Sequence, residues 1–322
     1  MKYYVYVNNL IGVQTNAKSF HWSFGSDAPP AEEQAFLDCK VKIVLEIVKD
    51  RDVFPKSEEN DCDGCFRDFR ANCNQHDLYY SRSLPGRRKL NYAIRIENNT
   101  IFAKVGRSYA KLIRLKVMNI HPIGYILTDL VTMLLLKNGI TTLYGATFSR
   151  KQTGALIMAP PKMGKTFTAV QLAQYYDARL LGEDICVFDG EKMFPVPWTN
   201  TYRKYGNQTG AVNREALFTQ QPSIMTHLFI LEKGNEKSFA SCAEAEKKMQ
   251  ILNHYGLHYY CSPAVLTLCY FNDDLSVEEL ISKEHRAIRA IAEKTSVFIT
   301  TSDSPVEYAR MISEKLEGKA SD

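Results

Sequence analysis

The order of apolar and polar residues changes most sharply near the middle of the chain. Residues 154–158 (GALIM) form a short apolar run, typical of a buried strand, and residues 159–166 (APPKMGKT) follow with two prolines and a glycine. Residues 167–176 (FTAVQLAQYY) then repeat apolar side chains at helical spacing. The pattern therefore predicts a strand, a loop and a helix in direct succession.

The first third of the chain carries short apolar runs that predict a β-rich region. We expect strands at residues 4–10, 18–24 and 41–48, and a hairpin of residues 92–96 and 100–105 that turns at Asn98 and Asn99. Residues 49–88 are polar, as in a long connection outside a core. Because this region offers no catalytic cluster, we expect it to recognise a substrate or a partner.

From about residue 121 the apolar spacing becomes helical, and Asn138 and Gly139 supply a stop signal. Strands are expected at residues 141–148, 178–181, 185–188, 226–231 and 296–300. Three serines are each followed three positions later by glutamate, as in capping boxes: Ser241, Ser276 and Ser304. The alternation of elements predicts an α/β domain over residues 118–322, after a β-rich N-terminal region over residues 1–117.

Charge and hydropathy exclude some classes of function. The chain of 322 residues has a formal net charge of +4, which gives no electrostatic case for binding nucleic acid. The most apolar stretch, residues 123–136, contains Asp129 and is too short to span a bilayer. The N-terminus lacks the apolar core of a signal peptide. We therefore expect a cytoplasmic protein with no nucleic-acid partner and no membrane association.

The cysteines suggest two different roles. Cys186 lies in an apolar run and is expected in the core, where a reduced cysteine behaves as a small hydrophobe. Four residues of a polar stretch have ligand types and pair spacings that zinc accepts, although the gap between the pairs is short: Cys62, Cys65, Cys73 and His76. The alternative is an acidic surface loop that is rich in cysteine.

The loop at residues 159–166 follows a Walker A pattern, except that Ala159 takes the place of the first glycine. In such loops backbone N–H groups converge on a phosphate, the lysine adds a positive charge and the next hydroxyl ligates Mg²⁺. The prolines remove two N–H donors, and an alanine at positive φ would cost about 1 kcal/mol. The predicted nucleotide-binding residues are Ala159, Lys162, Met163, Gly164, Lys165, Thr166 and Phe167. The alternative is an ordinary strand-to-helix turn.

An acidic pair, Glu183 and Asp184, follows a short apolar strand shortly after this loop. Phosphoryl transfer uses one carboxylate to hold Mg²⁺ and another to accept the proton of an attacking hydroxyl. Arg203 lies in a segment rich in proline and aromatic residues, where it could clamp a phosphate. The alternatives are a solvated surface turn for the acidic pair and an exposed connection for Arg203.

Three segments resemble, in this order, the catalytic domain of the HPr kinase/phosphorylase superfamily: residues 142–146 (TLYGA), the loop at 159–166 and residues 180–184 (LLGED). Members of that superfamily carry a His-Gly strand, a Gly-Lys-Ser/Thr loop and a Leu-Leu-Ser/Ala-Asp-Asp segment. The resemblance covers about residues 120–200, and the β-rich region before it is similar to that of small relatives that phosphorylate peptides or free serine. It implies a P-loop kinase core similar to that of phosphoenolpyruvate carboxykinase, and phosphorylation of a hydroxyl group.

The chain departs from the superfamily pattern at three positions. Tyr144 occupies the place of the histidine that is tied to the reverse, phosphorolytic reaction. Glu183 replaces the first Asp of the pair, and Ala159 replaces the first glycine of the loop. The resemblance therefore implies the forward kinase reaction rather than its reversal.

Motifs and resemblance together predict a kinase that uses ATP and Mg²⁺ and phosphorylates a serine or threonine hydroxyl of a peptide, protein or small molecule. Thr166 and Asp184 would hold the metal, and Lys165 would bind the β- and γ-phosphates. Glu183 would orient or deprotonate the hydroxyl.

Two other functions fit the same sequence. One is a catalytically weak protein that senses a nucleotide and binds a peptide, and the other is a scaffold organised by zinc. The sequence leaves open whether ATP, GTP or pyrophosphate is the donor. It also leaves open the oligomeric state, with a homo-oligomer among the alternatives.

Overall fold

A computed structural model describes residues 1–17, 22–25, 28–54, 64–66, 69–72, 77–84, 88–113, 123–151, 153–196, 217–234, 238–239, 241–257, 262–271 and 275–317. The chain forms two compact units. The first comprises Met1–Trp22, Ala28–Asn138 and Tyr259–Ile281, and the second comprises Ser23–Asp27, Gly139–His258 and Ser282–Asp322. Both units contain helices and a mixed sheet, so the chain is an α/β protein.

The helices in the described residues are α1 (Glu33–Leu37), α2 (Arg107–Ile113), α3 (Ile123–Lys137), α4 (Lys165–Tyr175), α5 (Cys242–Gly256), α6 (Pro263–Phe271), α7 (Val277–Lys294) and α8 (Pro305–Leu316). A short 3-10 helix spans Asp50–Asp52. Within this described set, none of the helices has both the length and the apolar character needed to traverse a lipid bilayer.

The predicted boundary at residues 117 and 118 lies before α3, whereas the two compact units divide after that helix. Almost every residue of α3 is buried, and the helix contacts the strand Val41–Val48 and α6 of its own unit. A helix that is apolar on all sides is stable only where protein covers all of its sides. α3 therefore belongs to the first unit.

The strands of the first unit, in the described residues, are β1 (Lys2–Tyr6), β2 (Ile11–Thr15), β3 (Pro30–Ala31), β4 (Val41–Val48), β5 (Gly64–Phe66), β6 (Phe69–Asn72), β7 (Asp77–Leu84), β8 (Arg88–Glu97) and β9 (Thr100–Gly106). Their order in the sheet is β3-β1-β2-β4-β9-β8-β7-β6-β5. β4 is parallel to both of its neighbours, β2 and β9. Alternate residues of β4 are buried, which confirms the strand predicted at residues 41–48.

Three other predictions for this unit had different outcomes. The hairpin at Asn98 and Asn99 is confirmed, since β8 and β9 pair there and both residues have positive φ, as a type I′ turn requires. The strand predicted at residues 4–10 is wrong at its end, because β1 stops at Tyr6 and three residues with positive φ begin at Val7. Of the strand predicted at 18–24, the described residues 22–24 are not in a strand.

The strands of the second unit, in the described residues, are β10 (Thr141–Tyr144), β11 (Ala146–Arg150), β12 (Thr153–Met158), β13 (Arg179–Gly182), β14 (Ile185–Phe188), β15 (Lys192–Phe194), β16 (Ser223–Glu232), β17 (Ser238–Phe239) and β18 (Ser296–Thr301). The sheet order is β10-β14-β15-β16-β12-β11-β13, with β18 paired to β16 and β17 paired to β18. β12, β16 and β18 are parallel. Their carboxyl ends therefore lie at the same edge of the sheet.

The sheet of the second unit is buried on both faces. Leu156 and Met158 of β12 belong to an apolar cluster that includes residues of α5 and α7. Ala155 and Ile157, which point to the other face, belong to a second cluster that includes residues of α4 and α8. A strand covered on both faces is apolar at successive positions, which explains the uniformly apolar run that predicted it.

Residues 141–148, predicted as one strand, form the separate strands β10 and β11 on either side of Gly145. The Gly145 N–H donates to the carbonyl of Asp184 at 3.2 Å. A Cβ at Gly145 would lie 2.6 Å from the carbonyl oxygen of Ile157, so only glycine fits this close approach to β12. This tertiary contact, which the apolar pattern does not encode, divides the predicted strand.

Candidate functional site

The predicted strand, loop and helix are confirmed as β12, residues 159–164 and α4. Helix α4 begins at Lys165, two residues before the predicted start, and Gly164 is its N-cap. The loop leaves β12 at the sheet edge where the parallel strands end. Ligands of open α/β sheets bind at such carboxyl edges, so the loop lies where a binding site is expected.

The left-handed residues of the loop are Lys162, with φ of 67°, and Gly164, with φ of 93°. Ala159 is fully buried and is not among the residues with positive φ, so the strain considered for alanine at this position is absent. Pro160 and Pro161 are exposed. Lys162 holds about 1 kcal/mol of backbone strain, and such strain concentrates at functional sites.

Gly164 is required for two reasons. Its positive φ disfavours any residue with a side chain, and a Cβ there would lie 2.7 Å from Cγ of Pro305, in the first turn of α8. The hydroxyl of Thr168 also donates to the Pro305 carbonyl at 3.4 Å. Proline is tolerated at a helix start because its missing N–H would have no partner there, and this proline also contacts the loop. Ser304, predicted to cap α8, makes no side-chain cap hydrogen bond.

Lys165 is almost completely buried, with 5% of its surface exposed. Its Nζ donates to the Ala159 carbonyl at 3.1 Å and lies 4.0 Å from the centre of the Tyr144 ring. Burial lowers the pKa of Lys165 to about 8, and the nearby Asp184 carboxylate opposes this shift. An ammonium held in a dry site over an aromatic face interacts strongly with an anion.

The acidic pair lies in the turn between β13 and β14. Asp184 is partly exposed, whereas Glu183 is only 3% exposed. Burial raises the pKa of Asp184, and the ammonium of Lys165 opposes this shift. The structure thus brings together Lys165, at the start of α4, and Asp184, in the turn between β13 and β14, while the Glu183 side chain lies in the protein interior.

Tyr144, the last residue of β10, interacts with both charges of the site: its ring contacts the Lys165 ammonium, and its hydroxyl is affected by the Asp184 carboxylate. Burial raises its pKa to about 12, and the Asp184 carboxylate adds to this shift. The phenol therefore stays protonated near neutral pH. Its main-chain N–H donates to the side-chain oxygen of Asn253 at 2.7 Å.

Asn253, Gly256 and Glu284 contact this site or its supports, and sequence reasoning missed them. Asn253 and Gly256 lie in the last turn of α5, and Glu284 lies on α7. A signal was present in the sequence, because Asn253 falls four residues after the buried Met249 on the apolar face of α5. A polar residue on such a face requires a buried hydrogen-bond partner.

The other predicted site residues are placed as follows. Met163, Thr166 and Phe167 are partly exposed, at the loop end and in the first turn of α4. Arg203 lies outside the described residues, as do Cys62, Cys73, His76 and the side chain of Cys65. Within the described ranges no group of three or more His, Cys, Asp and Glu side chains could hold a metal ion. Cys186 is fully buried, as predicted.

The residues present fit a phosphate group and a magnesium ion. The N-terminus of α4, an eleven-residue helix, favours an anion, and Lys165 adds a full positive charge beside it. Thr166 and Asp184 offer hydroxyl and carboxylate oxygens. Mg²⁺ bound with a nucleotide commonly takes only one or two carboxylates from the protein, because phosphates and water supply its other ligands.

Comparisons with known proteins give no indication of function. No model of a known protein family matches the chain, and no curated protein matches it either.

Proposed function

We propose that the protein binds a nucleoside triphosphate with Mg²⁺ and transfers the γ-phosphoryl group to a hydroxyl of a peptide, protein or small molecule. The observation that carries this proposal is the buried ammonium of Lys165 at a helix N-terminus, which interacts electrostatically with Asp184 in the turn between β13 and β14. Perturbed groups of opposite charge at the carboxyl edge of a sheet are typical of sites that handle phosphates. The P-loop kinase core implied by the resemblance belongs to the same proposal.

Lys165 and the N–H groups at the start of α4 bind the β- and γ-phosphates in this proposal. The positive end of the helix and the ammonium both favour negative charge, and little solvent screens the ammonium, because Lys165 is only 5% exposed. Because Lys165 is already fixed by Ala159 and Tyr144, little side-chain entropy is lost when a phosphate binds.

Thr166 and Asp184 would hold the Mg²⁺ ion, and the bound ion would neutralise charge on the phosphates. The carboxylate of Asp184 is more exposed than that of Glu183 and lies beside Lys165. We therefore assign Asp184, rather than Glu183, to the acceptor hydroxyl. In the same position it would also accept the proton of the acceptor hydroxyl.

Glu183, which the sequence suggested for the acceptor hydroxyl, would contact only an acceptor that reaches the protein interior. The two assignments differ in their consequences. If Asp184 handles the acceptor, Asp184→Asn lowers transfer more than Glu183→Gln does. The reverse order would return the acceptor to Glu183.

Nucleotide binding is the first test, because it needs no knowledge of the acceptor. Calorimetric titration with ATP, GTP and pyrophosphate, each with Mg²⁺, would identify the donor. We expect Lys165→Met to abolish measurable binding and Lys192→Met, which removes an exposed lysine of β15, to leave it unchanged. Equal ATP affinity of the Lys165→Met protein and the unmodified protein would refute the proposal.

A nucleotide-sensing protein without transfer is the second candidate, favoured by the burial of Glu183. Release of ADP in the presence of serine, threonine and serine-containing peptides separates the two functions. Tight ATP binding without any ADP release would favour the sensor.

A further inference from the structure

The last turn of α5 carries an asparagine in an unusual place. Asn253 is 1% exposed and lies on the face of α5 that packs against the sheet through Ala245, Met249 and Leu252. A buried amide that lacked partners would cost about 1 to 3 kcal/mol. Its hydrogen bonds therefore show what holds it there.

Asn253 bonds to the outer side of β10, which is the edge strand of its sheet in the described residues. The side-chain oxygen accepts from the Tyr144 N–H at 2.7 Å, and the side-chain nitrogen lies 3.5 Å from the carbonyl of Thr142. The amide thus takes the place of a neighbouring strand and fixes the main chain of Tyr144. The same nitrogen donates to Glu284 at 2.7 Å, which fixes the amide orientation.

Gly256, one turn further along α5, fits against the ring of Tyr144. A Cβ built on Gly256 would lie 1.9 Å from two atoms of that ring, far inside any allowed contact. Gly256 is not among the residues with positive φ, so its backbone would accept alanine and only the ring excludes it. The same ring lies under the Lys165 ammonium.

We propose that Asn253 and Gly256 are positioning residues for the phosphate-binding lysine, an inference that rests on the proposed function. Asn253 fixes the main chain of Tyr144, and Gly256 leaves the space in which the Tyr144 ring supports Lys165. The last turn of α5, which lies far from the loop in sequence, thereby sets the geometry of the phosphate site. Neither residue touches the reacting groups.

Gly256→Ala is the sharpest test, because it displaces the ring without removing a hydrogen bond. The matched control is Tyr255→Ala, which truncates the neighbouring side chain, 56% exposed. We expect Gly256→Ala to weaken ATP binding roughly 2- to 30-fold, the range of a lost cation–π contact, with a higher KM and a smaller change in kcat. Tyr255→Ala should leave ATP binding unchanged.

A second readout does not depend on any nucleotide. Acetylation of Lys165 by an N-hydroxysuccinimide ester, followed by mass spectrometry, reports how well the ring covers the ammonium. Gly256→Ala should speed the labelling of Lys165 and leave that of the exposed Lys192 unchanged. Unchanged labelling in a folded Gly256→Ala protein overturns the positioning role even if ATP binding falls.

The role of Asn253 is tested by exchanging its amide with the carboxylate of its partner, Glu284. Asn253→Asp places two carboxylates together and should weaken ATP binding and speed labelling, as Gly256→Ala does. Adding Glu284→Gln restores an amide–carboxylate pair and keeps an oxygen for the Tyr144 N–H, so the double variant should recover most of the affinity. Failure to recover in a double variant that melts like the unmodified protein contradicts the role of Asn253.

The two levels of inference fail separately. If Lys165→Met leaves ATP binding intact, the proposed function is lost, and the labelling rates still decide whether Asn253 and Gly256 position Lys165. If Lys165→Met abolishes binding while Gly256→Ala changes neither readout, the proposed function stands and the positioning role is refuted.

Discussion

Asp77 in the first unit and Lys165 in the second are both buried charged side chains, and their surroundings differ. In the first unit Asp77, 5% exposed, accepts hydrogen bonds from two nitrogens of Arg95 and from the hydroxyl of Tyr79. In the second unit Lys165, also 5% exposed, has one hydrogen bond to a carbonyl and an aromatic ring beneath it. Asp184 influences Lys165 from nearby but is not its hydrogen-bond partner.

The difference separates a structural charge from a charge available to a ligand. Asp77 and Arg95 satisfy each other, and the hydrogen bond to Asp77 raises the pKa of Arg95. Lys165 keeps donors that a phosphate can use, and its lowered pKa shows that the folded protein bears a cost for holding the charge there. We infer that the first arrangement serves stability and the second serves binding.

The largest expected effect is on catalysis. Asp184→Asn should lower phosphoryl transfer by about 10²- to 10⁴-fold, the range for a lost proton acceptor, with little loss of stability because the wild-type carboxylate is desolvated. Asp189→Asn is the matched control, since an amide oxygen can still accept the N–H groups of Glu191 and Lys192. Transfer rates from ADP release and melting temperatures check both parts, and a destabilised but active Asp184→Asn protein would contradict them.

The pH dependence of the second unit should show stability and binding moving in opposite directions. The folded protein releases the Lys165 proton near pH 8, and the unfolded chain holds it to about 10.5, so the unfolded state binds more protons between these values. The free energy of unfolding should therefore gain up to about 3 kcal/mol from this group as pH rises from 8 to 10.5. ATP affinity should fall over the same rise, because the neutral amine attracts phosphate less.

Denaturant titrations and calorimetry across this pH range test the prediction. Lys165→Met removes the titrating group, so its unfolding free energy should lack this component of the rise. ATP affinity of the unmodified protein that stays constant from pH 7 to 9.5 would show that the charge of Lys165 does not serve binding.

In the first unit the expected effect is on stability alone. Arg95→Met leaves the buried carboxylate of Asp77 with the Tyr79 hydroxyl and should cost about 2 kcal/mol of unfolding free energy, since hydrogen bonds to charged groups contribute about 1.5 to 3. Solvent screening reduces the value, because the Arg95 side chain is 39% exposed. Arg51→Met, at a side chain 78% exposed, should change stability little. Urea titration measures both, and ATP binding should be unaffected.

The smallest effect concerns backbone strain. Lys162→Gly should raise the free energy of unfolding by up to about 1 kcal/mol, because glycine adopts the left-handed conformation without a steric penalty. Asn98→Gly in the first unit, at φ of 44°, should gain less, because asparagine tolerates that region. Equal gains at the two positions would mean that the loop of the second unit carries no special strain.

Local patterns were predicted correctly where the physical cause is local. The turn at Asn98 and Asn99 needs only residues that tolerate positive φ, and the stop of α3 needs only Gly139, with φ of 77°. Ser241 and Ser276 cap α5 and α7 by accepting the N–H three residues on, as their capping boxes predicted. The strand, loop and helix around residues 154–176 were predicted from periodicity for the same reason.

Predictions failed where distant residues decide the outcome. Residues 141–148 have the alternation of one strand, but the close approach of Gly145 to β12 divides them. α3 joins the first unit because its apolar surface is buried there, and residues 259–281 join it from late in the chain. Neither fact is encoded in the neighbouring residues.

The sequence by itself determined the chemistry available near the loop: a Gly-Lys-Thr helix start, an acidic pair and an α/β arrangement of elements. Only the tertiary structure decided that Lys165 is buried, that Asp184 rather than Glu183 lies beside it, and that Asn253 holds Tyr144 across 109 residues of chain. The physical reason is that side-chain type and short-range periodicity are local properties. Burial, electrostatic coupling and close packing depend on which distant segments the fold brings together.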